Sequence, residues 1–314
     1  MSNKKNLINY PISQTNLIGY ENYFLLFKDL FNKNLLPNKI LLSGISGIGK
    51  ATFSYHLINY FLSKNEDYSY DYNKLLINPL NRSFNLINNS VHPNFYLIDL
   101  MENKSSIDIK QVREMIRYAN NTSFDQNIKI VLIDNVEYLN LNSVNSLLKI
   151  IEEPNENTFF ILIYDSSKYL INTLRSRCIE FKIHFSNKEK DKIAKKLLEI
   201  NSININISKI QNYYNSPGFI LNISKFLSDH KISLDMISFD ELVFNLLFTK
   251  LKTINDSNFK IFNYLLETAF YNKFKNKKNK KHIYNIYSNI NDKINLTKKY
   301  NLDLNNLIYE IKQS

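Results

Sequence analysis

The stretch LLSGISGIGKATFSYHL, residues 41–57, decides the fold of this chain. With the preceding residues it begins as NKILLSG, a short apolar run ending in glycine, the pattern of a buried parallel strand entering a turn. Beyond the turn, Phe53, Leu57, Tyr60 and Phe61 recur at helical spacing, so a helix is expected from Lys50 to about Phe61. Between strand and helix, Gly44, Gly49 and Lys50 satisfy the phosphate-loop pattern G-x-x-x-x-G-K, with Gly47 inside it. In that pattern glycines let backbone N–H groups turn inward at a helix N-terminus, and the lysine reaches the β and γ phosphates. The chain has only five glycines, and three lie within these six positions. A glycine-rich composition therefore does not explain the loop.

The next position of the pattern calls for a serine or threonine hydroxyl to bind magnesium, and here it is Ala51. Thr52 comes one residue late, turned about 100° around the helix. A well-held magnesium ion is therefore not expected. The loop is a working nucleotide site, a damaged one or one kept for another purpose.

Working outward, NFYLIDL (94–100), IKIVLID (128–134), TFFILIY (158–164) and CIEFKI (178–183) read as further strands. Between them, IDIKQVREMIRYANNTS places Ile109, Val112, Ile116 and Tyr118 roughly on one helical face, and LNSVNSLLKIIEEP is a helix stopped by Pro154. Strands alternating with helices over residues 38–184 imply a parallel sheet covered on both faces. Residues 64–91 are polar and asparagine-rich, and read as an irregular insertion. After His184 the periods are helical and no further strand is convincing. The expected organisation is an α/β module at 1–184, a small helical lid at 185–238 and a helical domain at 239–314.

The bulk properties fit a globular protein: 314 residues, 44% hydrophobic, with no apolar run long enough to cross a bilayer. The first twenty residues lack the apolar core of a secretory signal. A single cysteine, Cys178, excludes an internal disulfide framework and any Cys-based zinc site, and points to a reducing cytoplasm. The net charge of +11 suits an acidic partner such as nucleic acid, although abundant lysine and asparagine along the whole chain explain it equally well. The run NKFKNKKNKKH, 272–282, reads as a solvated helix end or loop. Arginine occurs at only five positions, and two of them, Arg175 and Arg177, stand close together.

A hydrolysing nucleotide site also needs an acidic strand end, with one carboxylate for the metal and a second to orient the attacking water. VLIDNVEYL supplies Asp134 and then Asn135, whose amide cannot act as a general base. Glu137 is two residues on and is expected to point elsewhere. In LRSRCIEF, Arg177 lies just before a strand, between Ser176 and Cys178. An arginine there forms a surface ion pair or projects towards a neighbouring subunit's phosphate.

In order and spacing, GISGIGKAT, HPNFYLIDL, IKIVLIDNVEYLNLNSVNSLLKIIEEP and INTLRSRC resemble the clamp-loader branch of the AAA+ ATPases, and within it the delta-prime family of bacterial DNA polymerase III. The resemblance runs from about Leu17 to Lys182 and is most specific in Asn145, Leu147, Leu148, Lys149, Glu152, Glu153, Pro154 and the Ser-Arg-Cys triplet. It implies an AAA+ P-loop module with a five-stranded parallel sheet, a helical lid, and a helical collar that joins subunits into a hetero-pentameric ring. It further implies that Arg177 is an arginine finger for the adjacent subunit's ATP site, with Ser176 and Cys178 setting its position. Asn135 would stand where the motor subunits carry a catalytic glutamate. By the same resemblance, Gly44, Gly47, Gly49, Lys50, Ala51, Thr52 and Asp134 form a nucleotide loop that holds ATP or ADP without hydrolysing it. The implied partners are the other loader subunits, the sliding clamp indirectly, and primer-template DNA through the assembled ring, with no membrane.

This sequence departs from the motor subunits at several points. Residues 64–91 contain no cysteine, so no zinc is expected. Tyr164 falls where a motor subunit places a polar phosphate sensor, and NSPGFIL (215–221) has Gly218 where a lid would offer an arginine. Two alternatives stay open: an active AAA+ ATPase of the motor type, and a stand-alone DNA-binding protein on a vestigial nucleotide fold.

Overall fold

The computed structural model describes residues 10–101, 104–121, 128–155, 157–204, 216–229, 261, 264, 267 and 280–300. The expected strands form one five-stranded sheet: β1 (Lys39–Gly44), β2 (Phe95–Ile98), β3 (Lys129–Ile133), β4 (Thr158–Asp165) and β5 (Ile179–Lys182). They are ordered β2-β3-β4-β1-β5, and every neighbouring pair is parallel. Helices α1 (Glu21–Asn32), α2 (Lys50–Leu62), α3 (Arg82–Asn88), α4 (Ile109–Asn120), α5 (Leu141–Glu152) and α6 (Asn172–Arg175) come before β5 or between the strands. This is the α/β architecture with a five-stranded parallel sheet that the resemblance implies.

Side chains alternate between the faces of a strand, so the three central strands must be apolar on both. Ile40 and Leu42, Ile130 and Leu132, and Ile161 and Ile163 face one core, where α1 brings Phe24 and Phe27 and α2 brings Phe53 and Leu57. Leu41, Val131, Ile133, Phe160 and Leu162 face the other, against Val112, Met115 and Ala119 of α4 and Val144, Leu147 and Ile151 of α5. Burying each large side chain of this kind contributes about 2–3 kcal/mol, and that anchors the helix termini at the sheet edges.

Two sequence expectations need correction. Residues 64–91 are not wholly irregular: they contain α3, capped by Asn81, and send Tyr70, Leu75, Ile77, Phe84 and Ile87 into the first core. On α4 the fully buried stripe is Val112, Met115 and Ala119, with Ile116 and Tyr118 only half-buried beside it.

The chain divides into two compact units, Met1–Leu221 and Asn222–Ser314. Helix α7 (Asn187–Ile200) lies in the first unit and opens with a capping box between Ser186 and Glu189. Helix α8 (Pro217–Asp229) begins in the first unit, so Pro217 of the Ser-Pro-Gly turn is already helical. In the second unit the description is confined to the end of α8, three single residues and α9 (Lys280–Tyr300). The lid-to-collar boundary expected at 238/239, and residues 272–279 of the basic run 272–282, lie outside the described residues.

Candidate functional site

The loop after β1 has the backbone that its glycines permit. Gly47 has φ +78° and Gly49 φ +97°, left-handed values that disfavour any side chain, and Gly49 is the N-cap of α2. Lys50 is buried, and its Nζ donates to the Gly44 and Ile45 carbonyls at 2.6 and 2.8 Å. Burial lowers its pKa, opposed by the charges of Asp165, Asp134 and Glu137 and reinforced by Lys168. Tyr20 supports the loop from behind: its Oη donates to Ile48 O at 2.9 Å and its ring stacks on Phe53 with centroids 4.7 Å apart. Ala51 and Thr52 are half-buried on the first turn of α2, and Ala51 packs against the first core.

The start of α8 rests on the tip of this loop. Gly218 N–H donates to Gly47 O at 2.9 Å. A Cβ at Gly47 would come within 2.2 Å of Ser216 Oγ, and one at Gly218 within 2.8 Å of Gly47 O. The Lys50 ammonium is thus engaged by the loop's own carbonyls, and the start of α8 is seated on the Gly47 carbonyl.

At the ends of β2, β3 and β4 the carboxylates gather. Burial pushes the Asp134 carboxyl up to about 7, and Asp99 adds to the rise. Asp134 Oδ1 accepts from Asn135 N at 2.8 Å. Asn135 has φ +56°, and its Nδ2 donates to Asp99 Oδ1 at 2.8 Å. Glu137 was expected to point elsewhere, but the short turn Val136–Tyr138 brings it back to the site. Its buried carboxylate accepts from Asp165 N at 3.3 Å and from Lys168 Nζ at 3.4 Å. Tyr164 is buried, with its hydroxyl donating to Lys168 O. Among the described residues no group of His, Cys, Asp and Glu is placed to hold a metal ion, and no helix is long and apolar enough to cross a membrane. Ala51 offers no hydroxyl to a magnesium ion at the first turn of α2, and Asn135 offers no carboxylate to act as a base.

Arg177 lies elsewhere. Leu174 of α6 is fully buried and anchors the turn, and Ser176 closes the helix with Oγ donating to Thr173 O at 3.2 Å. Cys178 packs half-buried against the second core, and burial pushes its thiol up to about 11. Arg175 is held by Glu180 on the neighbouring strand, at 2.8 Å. Arg177 donates through Nε to Glu152 Oε1 at 2.6 Å and through Nη1 to Thr173 O at 2.8 Å, and its side chain is 36% exposed. Register decides where this is: Ile40 pairs with Ile179, so β5 begins beside the start of β1. The turn carrying Arg177 is therefore at the opposite edge of the sheet from Gly44, about 13 Å away along four residues of strand.

Residues 19–188 match the family model described as DNA polymerase III, delta subunit, which takes in more than half of the chain. The chain belongs to the DNA polymerase III delta-subunit family. A DNA polymerase III subunit delta' of Buchnera aphidicola subsp. Baizongia pistaciae is 32% identical over 157 residues, 48% of this chain and 45% of that protein. One from Yersinia pestis is 37% identical over 87 residues, 28% of this chain and 26% of that protein. A DNA polymerase III subunit gamma of Buchnera aphidicola subsp. Schizaphis graminum is 27% identical over 192 residues, 57% and 47% of the two chains. The chain thus spans less than half the length of these relatives.

In this member of the delta-subunit family, the residues picked out by motif fall into two places. Gly44, Gly47, Gly49, Lys50 and Asp134 come together at the C-terminal edge of the sheet, and Ser176, Arg177 and Cys178 lie at the other edge. Sequence reasoning missed Asp99, Asp165 and Lys168 at the first place and expected Glu137 to point away from it; at the second place it named Glu152 without giving it a role. The signal for Glu152 was the Glu-Glu-Pro helix end, and for Glu137 its place two residues after Asn135.

Proposed function

We propose that this chain is a non-hydrolysing subunit of a DNA polymerase III clamp loader, acting on its neighbour's ATP site through Arg177. The observation that carries this reading is the register of β5 on β1. It sets an exposed guanidinium at the edge of the sheet remote from the chain's own loop, too far for an arginine side chain to serve that loop. A guanidinium so placed can stabilise the charge on a phosphoryl group transferred at an adjacent subunit. The loop itself, with Lys50 turned onto Gly44 and Ile45 and Asn135 turned onto Asp99, supports a structural rather than a hydrolytic role. The assembly would be a ring of loader subunits that places a sliding clamp on primer-template DNA, and the net charge of +11 suits salt-sensitive backbone contacts within it.

The test is Arg177→Ala in a loader reconstituted from this chain and its ATPase partners. Folding and assembly should persist while hydrolysis at the facing site falls by about 10²-fold or more. Unchanged hydrolysis removes the finger role. The gamma-named relative favours a second reading, an active ATPase. Turnover by this chain alone, abolished by Lys50→Ala, would establish that one.

A further inference from the structure

We infer that Glu152 is the positioning residue for Arg177, holding the guanidinium at Nε so that Nη2 is left for a neighbour; this inference rests on the finger role proposed above. Arg177 hangs from a turn, and an arginine side chain has several rotatable bonds whose freedom must be given up before it can serve a neighbour. Two contacts from different elements remove that freedom. Glu152 Oε1, from the last turn of α5, takes Nε at 2.6 Å, and Thr173 O, from α6, takes Nη1 at 2.8 Å. They fix the planar fork from two sides, while Nη2 makes no hydrogen bond among the described residues.

Helix energetics alone do not favour a carboxylate at residue 152. Glu152 is the last residue of α5, where the helix dipole presents its negative end and a cation is preferred. The α5 last turn already has Lys149 for that purpose. Glu152 is half exposed and is not part of either buried core. Among the described residues its side chain pairs with the guanidinium of Arg177 alone. A side chain that works against its own helix and meets an exposed arginine is best explained by what it does to that arginine.

The test uses the same reconstituted loader with Glu152→Ala, Glu152→Gln and Arg177→Ala, singly and with Glu152→Ala combined with Arg177→Ala. An exposed ion pair of this kind is a small effect, so Glu152→Ala should lower kcat for ATP by about two- to fivefold, with KM and assembly unchanged. Glu152→Gln keeps an acceptor oxygen and should recover most of the loss. In the Arg177→Ala background, Glu152→Ala should add nothing, because the two residues act as one unit. The Arg177 Nε–H resonance of the chain on its own should shift on Glu152→Ala, which reports the contact independently of ATP. If Arg177→Ala lowers kcat and Glu152→Ala does not, or if the double variant is worse than Arg177→Ala, the positioning role is wrong and the finger stands. If Arg177→Ala itself has no effect, the finger role fails and the positioning role with it.

Discussion

Replacing Asp134 by asparagine is expected to stabilise the first compact unit at pH 8 and to do so much less at pH 5. Burial lifts the carboxyl from its ordinary value of 3.8 to about 7; Asp99 and, more weakly, Glu137 add to the rise, and the Asn135 N–H and Lys50 oppose it. A carboxyl raised in this way holds its proton more tightly in the folded than in the unfolded chain. Between the two pKa values folding takes up a proton, so stability falls as pH rises. The penalty is absent below about pH 4 and fully present above about pH 7.

A rise of this size corresponds to about 4 kcal/mol at most. Because Asp134 keeps some contact with solvent, screening reduces that to ~2 kcal/mol. Asparagine retains the acceptor for the Asn135 N–H and removes the charge. Urea unfolding followed by circular dichroism at both pH values measures the difference. Asp134→Asn should gain ~2 kcal/mol at pH 8 and under ~1 kcal/mol at pH 5. An equal gain at both pH values, or a loss at pH 8, would refute the reasoning and return Asp134 to the ranks of ordinary strand-end carboxylates.

Two further variants probe how the site is supported. Asn81 is fully buried; its Oδ1 accepts from Phe84 N and Asn59 Nδ2, both at 2.7 Å, and its Nδ2 donates to Tyr68 O at 2.7 Å. Asn81→Ala loses a cap and leaves buried partners unpaired, costing ~3 kcal/mol and lowering Tm by about 6–12 °C; a shift under ~2 °C would contradict this. Gly218→Ala drives a Cβ to within 2.8 Å of the Gly47 carbonyl. Overpacking there should outweigh the gain in helix propensity by ~1 kcal/mol and speed amide exchange across residues 44–50, and slower exchange would show that α8 does not brace the loop.

The strands were the most legible part of the chain, because a strand buried on both faces is a continuous apolar run with little else to mimic it. IKIVLID and TFFILIY became β3 and β4 almost residue for residue. Helix α3 was not legible. Seven residues hold only two turns, and Phe84 and Ile87 cannot establish a period among asparagines. On α4 the half-buried Ile116 and Tyr118 drew attention from Met115 and Ala119, since tyrosine buries its ring and leaves its hydroxyl wet. Glu137 was misjudged because counting along a strand assumes the chain continues straight. The left-handed backbone of Asn135 reverses it and delivers the carboxylate to Lys168.

The motif residues were all visible in the sequence, but which of them could act together was not. Spacing along the chain says nothing about whether Arg177 faces the loop at Gly44 or lies away from it, since 132 intervening residues allow either. The sheet order settles that one point, because β5 joins the sheet beside β1 and in the same direction. Two strands in parallel register present their ends at opposite edges, so a loop following one and a turn preceding the other are separated by the strand length whatever the side chains are. The loop and the arginine are thereby set apart within this chain, with Ala51 and Asn135 at one edge of the sheet and Arg177, held by Thr173 and Glu152, at the other.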